Sequence, residues 1–247
     1  MESHSTKLLI DAGLSARQVR ERLCKLGIQP DQIDAILITH DHQDHTSEAG
    51  IVSLALGSPI YCTERTLAGF WNLLSGHEQI RHFRVGQEFW VKDLKIHPFR
   101  VFHDALDPCG FLIEEASLFT QYAKRLGIAT DLGTIPLLLR ENLKDCDLLI
   151  LESNHDLEML LQGDYPWHLK QRIRSEVGHL SNQAAGEAIA AIAQHGRLKR
   201  VFLAHLSEKN NHPQKALETV KSCLNGLSPQ LEIYVSHRDR PSPLIEF

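Results

Sequence analysis

The chain is 247 residues long, with 43% apolar residues, 23% charged residues and a formal net charge of −5. This length suits one large α/β domain, and the charge argues against a strongly basic nucleic-acid binder. We therefore predict a single domain over residues 1–247. The five cysteines are widely spaced, which excludes a disulfide framework and indicates a reducing, cytoplasmic compartment. No apolar run approaches the ~20 residues of a membrane span, so we expect no membrane association.

Short apolar runs bounded by polar or turn residues predict buried strands, and capped segments between them predict helices. In chain order, the predicted strands are Lys7–Ile10, Ala35–Ile38, Ile60–Cys62, Leu94–Phe102, Gly127–Ala129, Leu148–Leu151 and Arg200–Ala204. The predicted helices are Ala16–Lys25, Thr63–Leu74, Asn182–Gln194 and Pro213–Leu224. Because strands and helices alternate, we expect sheets with helices packed outside them.

The most informative motif is a histidine-rich run that follows the second predicted strand. The strand leads directly into His40-Asp41-His42-Gln43-Asp44-His45. Histidines at positions i and i+2 cannot share a helix face, but they can converge in a tight loop. Imidazoles and a carboxylate in one loop suit zinc, manganese or iron. A solvated polar loop is the much weaker alternative, and the run predicts a metal site.

Three further predicted strands end in residues of the same chemical type. These residues are His103, Asp131 and His205. Each one alone has an ordinary structural explanation, because Asp131 could cap a helix and either histidine could be buried in the core. Taken together with the histidine run, they supply enough ligands for two metal ions with an anionic bridge.

This set of strand ends resembles the metallo-β-lactamase superfold. The resemblance implies an αββα sandwich, in which two mixed sheets pack face to face with helices outside. It implies two divalent ions, zinc or manganese, with iron also compatible. One ion would be held by His40, His42 and His103, and the other by Asp44, His45 and His205, with Asp131 as the bridge.

Other segments resemble the narrower YycJ/WalJ family of bacterial proteins. These segments are Glu152–Asp156, Tyr165–Trp167, Gly178–Asn182, Leu203–Ser207 with Asn210 and Asn211, and His103–Pro108. The family implies a metal-dependent DNA exonuclease, acting 5′ to 3′ on double strands and linked to mismatch repair. Members usually have a Gly/Ser-rich strand ahead of the segment matching Lys7–Gly13. Met1 falls almost at that segment, so we expect the family's first strand to be missing.

The expected chemistry is hydrolysis of a phosphodiester by a metal-activated water molecule. Asp44 is the natural proton acceptor beside that water. His179 is the best candidate for a hydrogen bond to a phosphate oxygen or leaving group, since it resembles a histidine of the related ribonuclease Z group. A plain cap-region histidine is the alternative for His179.

Several residues are candidates for contact with a DNA substrate. Lys170 and Arg174 are four residues apart on a predicted helix and could face phosphates, although a solvated helix face explains them equally well. His155 is a candidate for substrate binding, or for support of the site through Asp156 or Glu152. A second small basic cluster comprises Arg81, His82 and Arg84.

Two other functions compete with the nuclease. A thioesterase or lactonase of the glyoxalase-II kind uses the same metal chemistry, but it would not need a phosphate-contacting His179. A metal-stabilised, non-catalytic DNA-binding module is the other alternative. Seven ligands with a bridging aspartate argue against that module, because structural zinc sites close at four ligands.

Overall fold

The computed structural model describes residues 1–115 and 123–247. The strands are β1 (Leu8–Ile10), β2 (Ala35–Leu37), β3 (Ile60–Cys62), β4 (Ile80–His82), β5 (Phe89–Val91), β6 (Leu94–Arg100), β7 (Cys109–Glu115), β8 (Arg125–Ala129), β9 (Leu148–Glu152), β10 (Arg200–Ala204) and β11 (Glu232–Val235). The helices are α1 (Ala16–Lys25), α2 (Gln43–Thr46), α3 (Ala49–Leu56), α4 (Glu64–Phe70), α5 (Leu137–Leu143), α6 (Leu157–Gln162), α7 (Trp167–Ile173), α8 (Asn182–Ala193) and α9 (Pro213–Leu224). Short 3-10 helices cover Pro30–Gln32 and Trp71–Leu73.

The chain divides into two compact units. The first unit comprises Met1–Arg100, Ala105–Cys109 and Ile113–Ala123. The second unit comprises Val101–Asp104, Gly110–Leu112 and Lys124–Phe247. The single domain over residues 1–247 stays a prediction, and the two units are described separately.

The first unit is built on a four-stranded sheet in the order β1-β2-β3-β4. Its pairings are all parallel, whereas we predicted two mixed sheets. Helix α1 begins at a Ser15 cap and turns Val19 and Leu23, four residues apart, into the core. There they pack with the fully buried Ile36 and with Val52 of α3. The same unit contains the antiparallel hairpin formed by β5 and β6.

The second unit contains the parallel strands β8, β9, β10 and β11, which are neighbours in that order. The apolar residues of β8, β9 and β10 are largely buried, as expected for a parallel sheet with helices on its faces, whereas β11 at the edge is half exposed. Helices α8 and α9 approach closely at Gly186, where a Cβ atom would lie 2.6 Å from the sulfur of Cys223. Within the part of the chain that the structure describes, no helix is long and apolar enough to cross a membrane.

The N-terminal residues are fastened to the turn between β5 and β6. Asp93 accepts hydrogen bonds from the Ser3 hydroxyl at 2.9 Å, from the Ser5 amide at 3.4 Å and from the Thr6 hydroxyl. Burial alone would raise the pKa of Asp93, but these hydrogen bonds outweigh it and lower the pKa to about 2. The ionised carboxylate therefore stabilises the folded chain.

We expect Asp93→Asn to lower the free energy of unfolding at pH 7 by about 1 kcal/mol, since solvent screens this half-buried cluster. The depressed pKa means that the contribution is complete above the ordinary pKa of 3.8 and is lost as the pH falls towards about 2. Urea unfolding at pH 7 and pH 3 measures this difference. Asp31→Asn, at an exposed position, is the control. An equal effect of Asp93→Asn at both pH values would contradict the prediction.

Candidate metal centre

The histidine run of the first unit, called the histidine loop below, covers the loop after β2 and the first three residues of α2. His42 is the N-cap residue of α2, and its extended backbone turns the chain between His40 and His45. The ring centre of His40 lies 4.8 Å from that of His42 and 4.2 Å from that of His45. His40 and His45 are buried, while Asp44 is exposed. The structure therefore clusters three imidazoles in one loop, as the spacing predicts.

Two of these imidazoles are held by hydrogen bonds at Nδ1. Nδ1 of His40 is 2.9 Å from the hydroxyl of Thr39, and Nδ1 of His45 is 2.8 Å from the carboxylate of Asp11. Such bonds fix the tautomer and direct Nε2 towards a metal ion. Nε2 of His45 lies 3.5 Å from a carboxylate oxygen of Asp44, so the two groups can share one ion.

Asp11 contacts the candidate site and was missed by the sequence reading. It directly follows β1, and because β1 and β2 are parallel neighbours, their carboxyl ends meet at one edge of the sheet. Besides His45, the Asp11 carboxylate accepts the amide of Thr39 at 2.8 Å. An acid directly after a strand next to the ligand-bearing strand is the signal that would have found it.

The segment after Asp11 packs directly against the ligand loop. The amide of Ala12 donates to the carbonyl of His45 at 2.8 Å. A Cβ atom on Gly13 would lie only 1.6 Å from the carbonyl oxygen of Asp44. Only glycine fits at position 13 unless the loop that carries Asp44 moves.

The second unit gathers polar residues at the carboxyl ends of its parallel strands. Asp131 follows β8, Glu152 ends β9 and His205 follows β10, while His179 precedes α8. Each of these four residues offers a ligand atom, and these atoms lie within 4.8 Å of one another. Neighbouring parallel strands place their carboxyl ends together, which explains the cluster.

Glu152 is the centre of this cluster and is completely buried. Its Oε1 atom accepts Nδ1 of His179 at 2.8 Å and Nδ1 of His205 at 2.7 Å. Its Oε2 atom accepts the amides of Leu132 at 3.0 Å and Leu180 at 3.1 Å. Burial alone would raise the pKa of Glu152, but the two histidine hydrogen bonds lower it well below its usual range.

Glu152 contacts Nδ1 of each of the two histidines. Burial alone would lower the pKa of His179, but the hydrogen bond and charge of Glu152 outweigh it and raise the pKa. Asp131 lies 3.3 Å from Nδ1 of His205 and 3.8 Å from Nδ1 of His179. Glu152 therefore orients both rings, in the way that acids commonly orient metal-binding histidines.

His103 is oriented by the backbone instead of by an acid. Its Nδ1 atom is 3.1 Å from the carbonyl oxygens of Val177 and Gly178. Its Nε2 atom lies 3.8 Å from Asp131 and 3.5 Å from Asp104. His103 and Asp131 can therefore bind the same ion.

The chain at several strand ends adopts a left-handed backbone. The φ angles are +59° at Asp11, +57° at Asp131 and +56° at His205, each of which costs about 1 kcal/mol for a residue other than glycine. At His205 the carbonyl oxygen accepts the side chain of Asn154 at 2.9 Å. Hydrogen bonds of this kind hold the strained backbone where the site needs it.

Asn154 belongs to a buried amide network that joins the family-like segments. Asn211 donates to the carbonyl oxygens of Ser153 and Asn154 at 2.8 and 3.0 Å. Asn182 donates to the side chain of Asn211 and accepts the hydroxyl of Ser153. This network explains why asparagines recur in segments that are far apart in the sequence.

Two predicted substrate contacts lie in the wrong environment for that role. Lys170 is buried, and its ammonium group donates to the carbonyl oxygens of Leu161 and Gly163 at 2.7 and 2.6 Å. His155 is also buried, and burial lowers its pKa to about 4. Neither side chain can meet a phosphate, whereas Arg174 is exposed at the end of α7.

The roles of the other predicted site residues stay predictions. Like Asp11, Glu152 orients imidazoles of the candidate site and was not among our candidates. From the sequence, we considered the side chain of Glu152 only as a partner of His155. Glu152 nevertheless ends an apolar strand, and that strand is the neighbour of the one that His205 follows. That position at a strand end is the signal that could have found it.

Known proteins resemble this chain over most of its length. A family model described as "Beta-lactamase superfamily domain" matches residues 6–206. The exodeoxyribonuclease WalJ of Streptococcus pneumoniae serotype 2 is 32% identical over 258 residues, covering 100% of this chain and 92% of that protein. The exodeoxyribonuclease YycJ of Bacillus anthracis is 31% identical over 244 residues, covering 96% and 90%.

Solved structures share the fold. The metallo-β-lactamase fold protein YhfI of Bacillus subtilis has a TM-score of 0.69 at 21% identity, with 95% of this chain and 86% of that chain covered. This likeness confirms the predicted fold class. The chain is a hydrolase that belongs to the beta-lactamase superfamily and, within it, to the family of the exodeoxyribonucleases WalJ and YycJ.

Proposed function

We propose that the chain is a metal-dependent exodeoxyribonuclease. The observation that carries the proposal is the buried Glu152, which orients His179 and His205 beside Asp131. A fully buried acid that accepts four hydrogen bonds at a strand end fits a metal centre better than a plain core. The names of the relatives WalJ and YycJ support DNA as the substrate.

The donor set fits divalent ions. His40, His45, His103 and His205 each have Nδ1 within hydrogen-bond distance of an acceptor or hydroxyl, so Nε2 is the natural ligand atom. We therefore keep the ligand assignment that the family resemblance implies. It provides for two divalent ions, which can be zinc, manganese or iron. These ions would supply activation of water and charge neutralisation at phosphorus. The assigned ligands are His40, His42, Asp44, His45, His103, Asp131 and His205.

The side chains of this chain perform the remaining work. The exposed carboxylate of Asp44 accepts the proton of the attacking water. His179, whose Nδ1 is committed to Glu152, directs Nε2 towards a phosphate oxygen or the leaving group. Asp11 and Glu152 keep the imidazole rings in position throughout the reaction.

The finer assignments rest on the family resemblance. We propose digestion of double-stranded DNA from 5′ to 3′, a role in mismatch repair and a cytoplasmic location. The five cysteines, which are free in the structure, are compatible with a reducing compartment.

A paired assay tests the proposed function. We expect the purified chain with manganese to degrade linear duplex DNA, to release label first from the 5′ ends and to be stopped by a chelator. Because a phosphate-contacting His179 has no use in thioester chemistry, thioesters should be cleaved far more slowly. A closed circular duplex is the control, since it has no ends. Cleavage of thioesters without cleavage of DNA would favour the small-substrate hydrolase, and DNA binding without cleavage would favour the binding module.

A further inference from the structure

A cavity of about 600 Å³ lies in the first unit, away from the ligand side chains already described. It is lined by the beginning of α4, by the segment between β4 and β5, and by two residues further along the chain. Its charged lining residues are Glu64, Arg65, Arg84, Glu88, Arg100 and Asp107. Two of its lining residues, His82 and Arg84, belong to the small basic cluster that the sequence suggests for DNA contact, but the proposed chemistry does not use this cavity.

The charges of the lining are unevenly paired. Arg100 binds Asp107 at 2.8 Å, and Glu88 binds Lys95 at 2.8 Å. Within residues 1–115 and 123–247, the side chains of Arg65 and Arg84 make no ion pair or hydrogen bond with the protein. Of the acids in the lining, only Glu64 is likewise without an ion pair in that part of the chain. The charges of the paired groups cancel. The guanidinium groups of Arg65 and Arg84 therefore outnumber the single remaining carboxylate, that of Glu64.

The segment that carries Arg84 is firmly anchored. Phe83 is buried and stacks on Phe89 with ring centres 5.2 Å apart, and its amide donates to Cys62 at 3.3 Å. The amide of Gly86, which has a φ angle of +85°, donates to Pro98 at 2.7 Å. Arg84 is therefore presented by a fixed backbone, which lowers the entropy cost of binding a ligand there.

The cavity adjoins the histidine loop of the same unit. Leu106 precedes the lining residue Asp107, and its amide donates to the carboxylate of Asp41 at 2.7 Å. Its carbonyl oxygen accepts the hydroxyl of Thr66 of α4 at 3.2 Å. Helix α4 also packs on Asp41, because a Cβ atom on Gly69 would lie 2.4 Å from its carboxylate. A ligand in the cavity would thus lie beside the loop that carries His40 and His42.

We propose that Arg65 and Arg84 bind a backbone phosphate of the DNA substrate, one or more nucleotides away from the phosphate that is cleaved. This proposal rests on the proposed nuclease function and adds a substrate-binding site to it. Arginine suits the role because its planar guanidinium matches phosphate oxygens and stays charged at every relevant pH. Each strand of duplex DNA carries one negative charge per ~3.4 Å of helix axis, so every phosphate has neighbouring phosphates on the same strand.

The test compares the double variant Arg65→Ala/Arg84→Ala with the parent chain. With linear duplex DNA, we expect KM to rise about tenfold while kcat changes less than about twofold, because the lost contacts are distant from the reacting phosphate. The slope of log KM against log salt concentration should fall by about 1 to 2, as expected when phosphate contacts are lost. Hydrolysis of bis-p-nitrophenyl phosphate, which has no second phosphate, should be unchanged.

The matched control is Arg17→Ala/Arg20→Ala, which removes the same charge from α1. A KM and a salt slope equal to those of this control would overturn the proposal. The opposite change, Glu64→Gln, should lower KM because it removes the unpaired acid of the cavity. If the double alanine variant also lost activity on the small diester, an unchanged KM of Glu64→Gln would overturn the proposal. A parent chain that cleaves no DNA would instead overturn the proposed function, and this proposal with it.

Discussion

Asp44→Ala and His42→Ala are expected to abolish degradation of linear duplex DNA. Losing an outer hydrogen bond to a metal ligand typically costs about 10- to 100-fold in activity or metal affinity, and losing a ligand itself should cost more. Asp44 is exposed, and its carboxylate lies 3.5 Å from Nε2 of His45. Its removal takes away both a proposed ligand and the proposed proton acceptor without disturbing the core.

The measurement combines activity with metal content. Each variant should retain less than one equivalent of the ion that the missing residue binds, as measured by elemental analysis after gel filtration. The control is Gln43→Ala, an exposed residue in the same loop, which should keep full activity and metal content. Full DNA degradation by Asp44→Ala would contradict its assignment as ligand and proton acceptor.

Glu152→Gln should weaken both metal binding and the fold. The carboxylate accepts four hydrogen bonds in a fully buried position, two from imidazoles and two from backbone amides. A glutamine amide group must turn its NH2 towards one of these pairs of donors. Leaving buried donors unsatisfied costs about 1–3 kcal/mol each, so we expect the free energy of unfolding to fall by about 3 kcal/mol.

The same change should reduce metal affinity by about 10- to 100-fold, since His179 and His205 lose the acid that orients them. Competition with a chromogenic chelator measures the affinity, and urea unfolding of the metal-free chain measures the stability. Glu158→Gln, at an exposed position of α6, is the control for the loss of one charge. A Glu152→Gln chain with unchanged affinity and stability would show that the buried acid does not support the site.

The strand ends that carry the candidate ligands could be predicted because their signals are local. An apolar run followed directly by His40 or His205 marks the end of a buried strand wherever the chain goes next. Glu152 and Asp11 could not be assigned in the same way, because an acid after an apolar run usually faces solvent. Their roles depend on which strand is the neighbour, and that is decided by the parallel order of the strands.

The burial of Lys170 also could not be predicted from the local sequence. Lys170 lies on a helix that carries several basic residues, and this local pattern predicts that its ammonium group is exposed to solvent. The structure buries the side chain because two carbonyl oxygens at the end of α6, those of Leu161 and Gly163, accept its ammonium group. Two edge strands were missed for a related reason. Ile80–His82 and Glu232–Val235 are at least partly exposed and lack a clear apolar run.

The hydrogen bonds of Glu152 span long stretches of the chain. Its partners His179 and His205 lie 27 and 53 residues further along the sequence. A growing chain that ends at β9 contains the acid but neither imidazole, and one that ends at α8 contains half of the arrangement. Both histidine hydrogen bonds to the buried carboxylate can form only after β10 and His205 have been made. The cluster can therefore be complete only late in synthesis and folding.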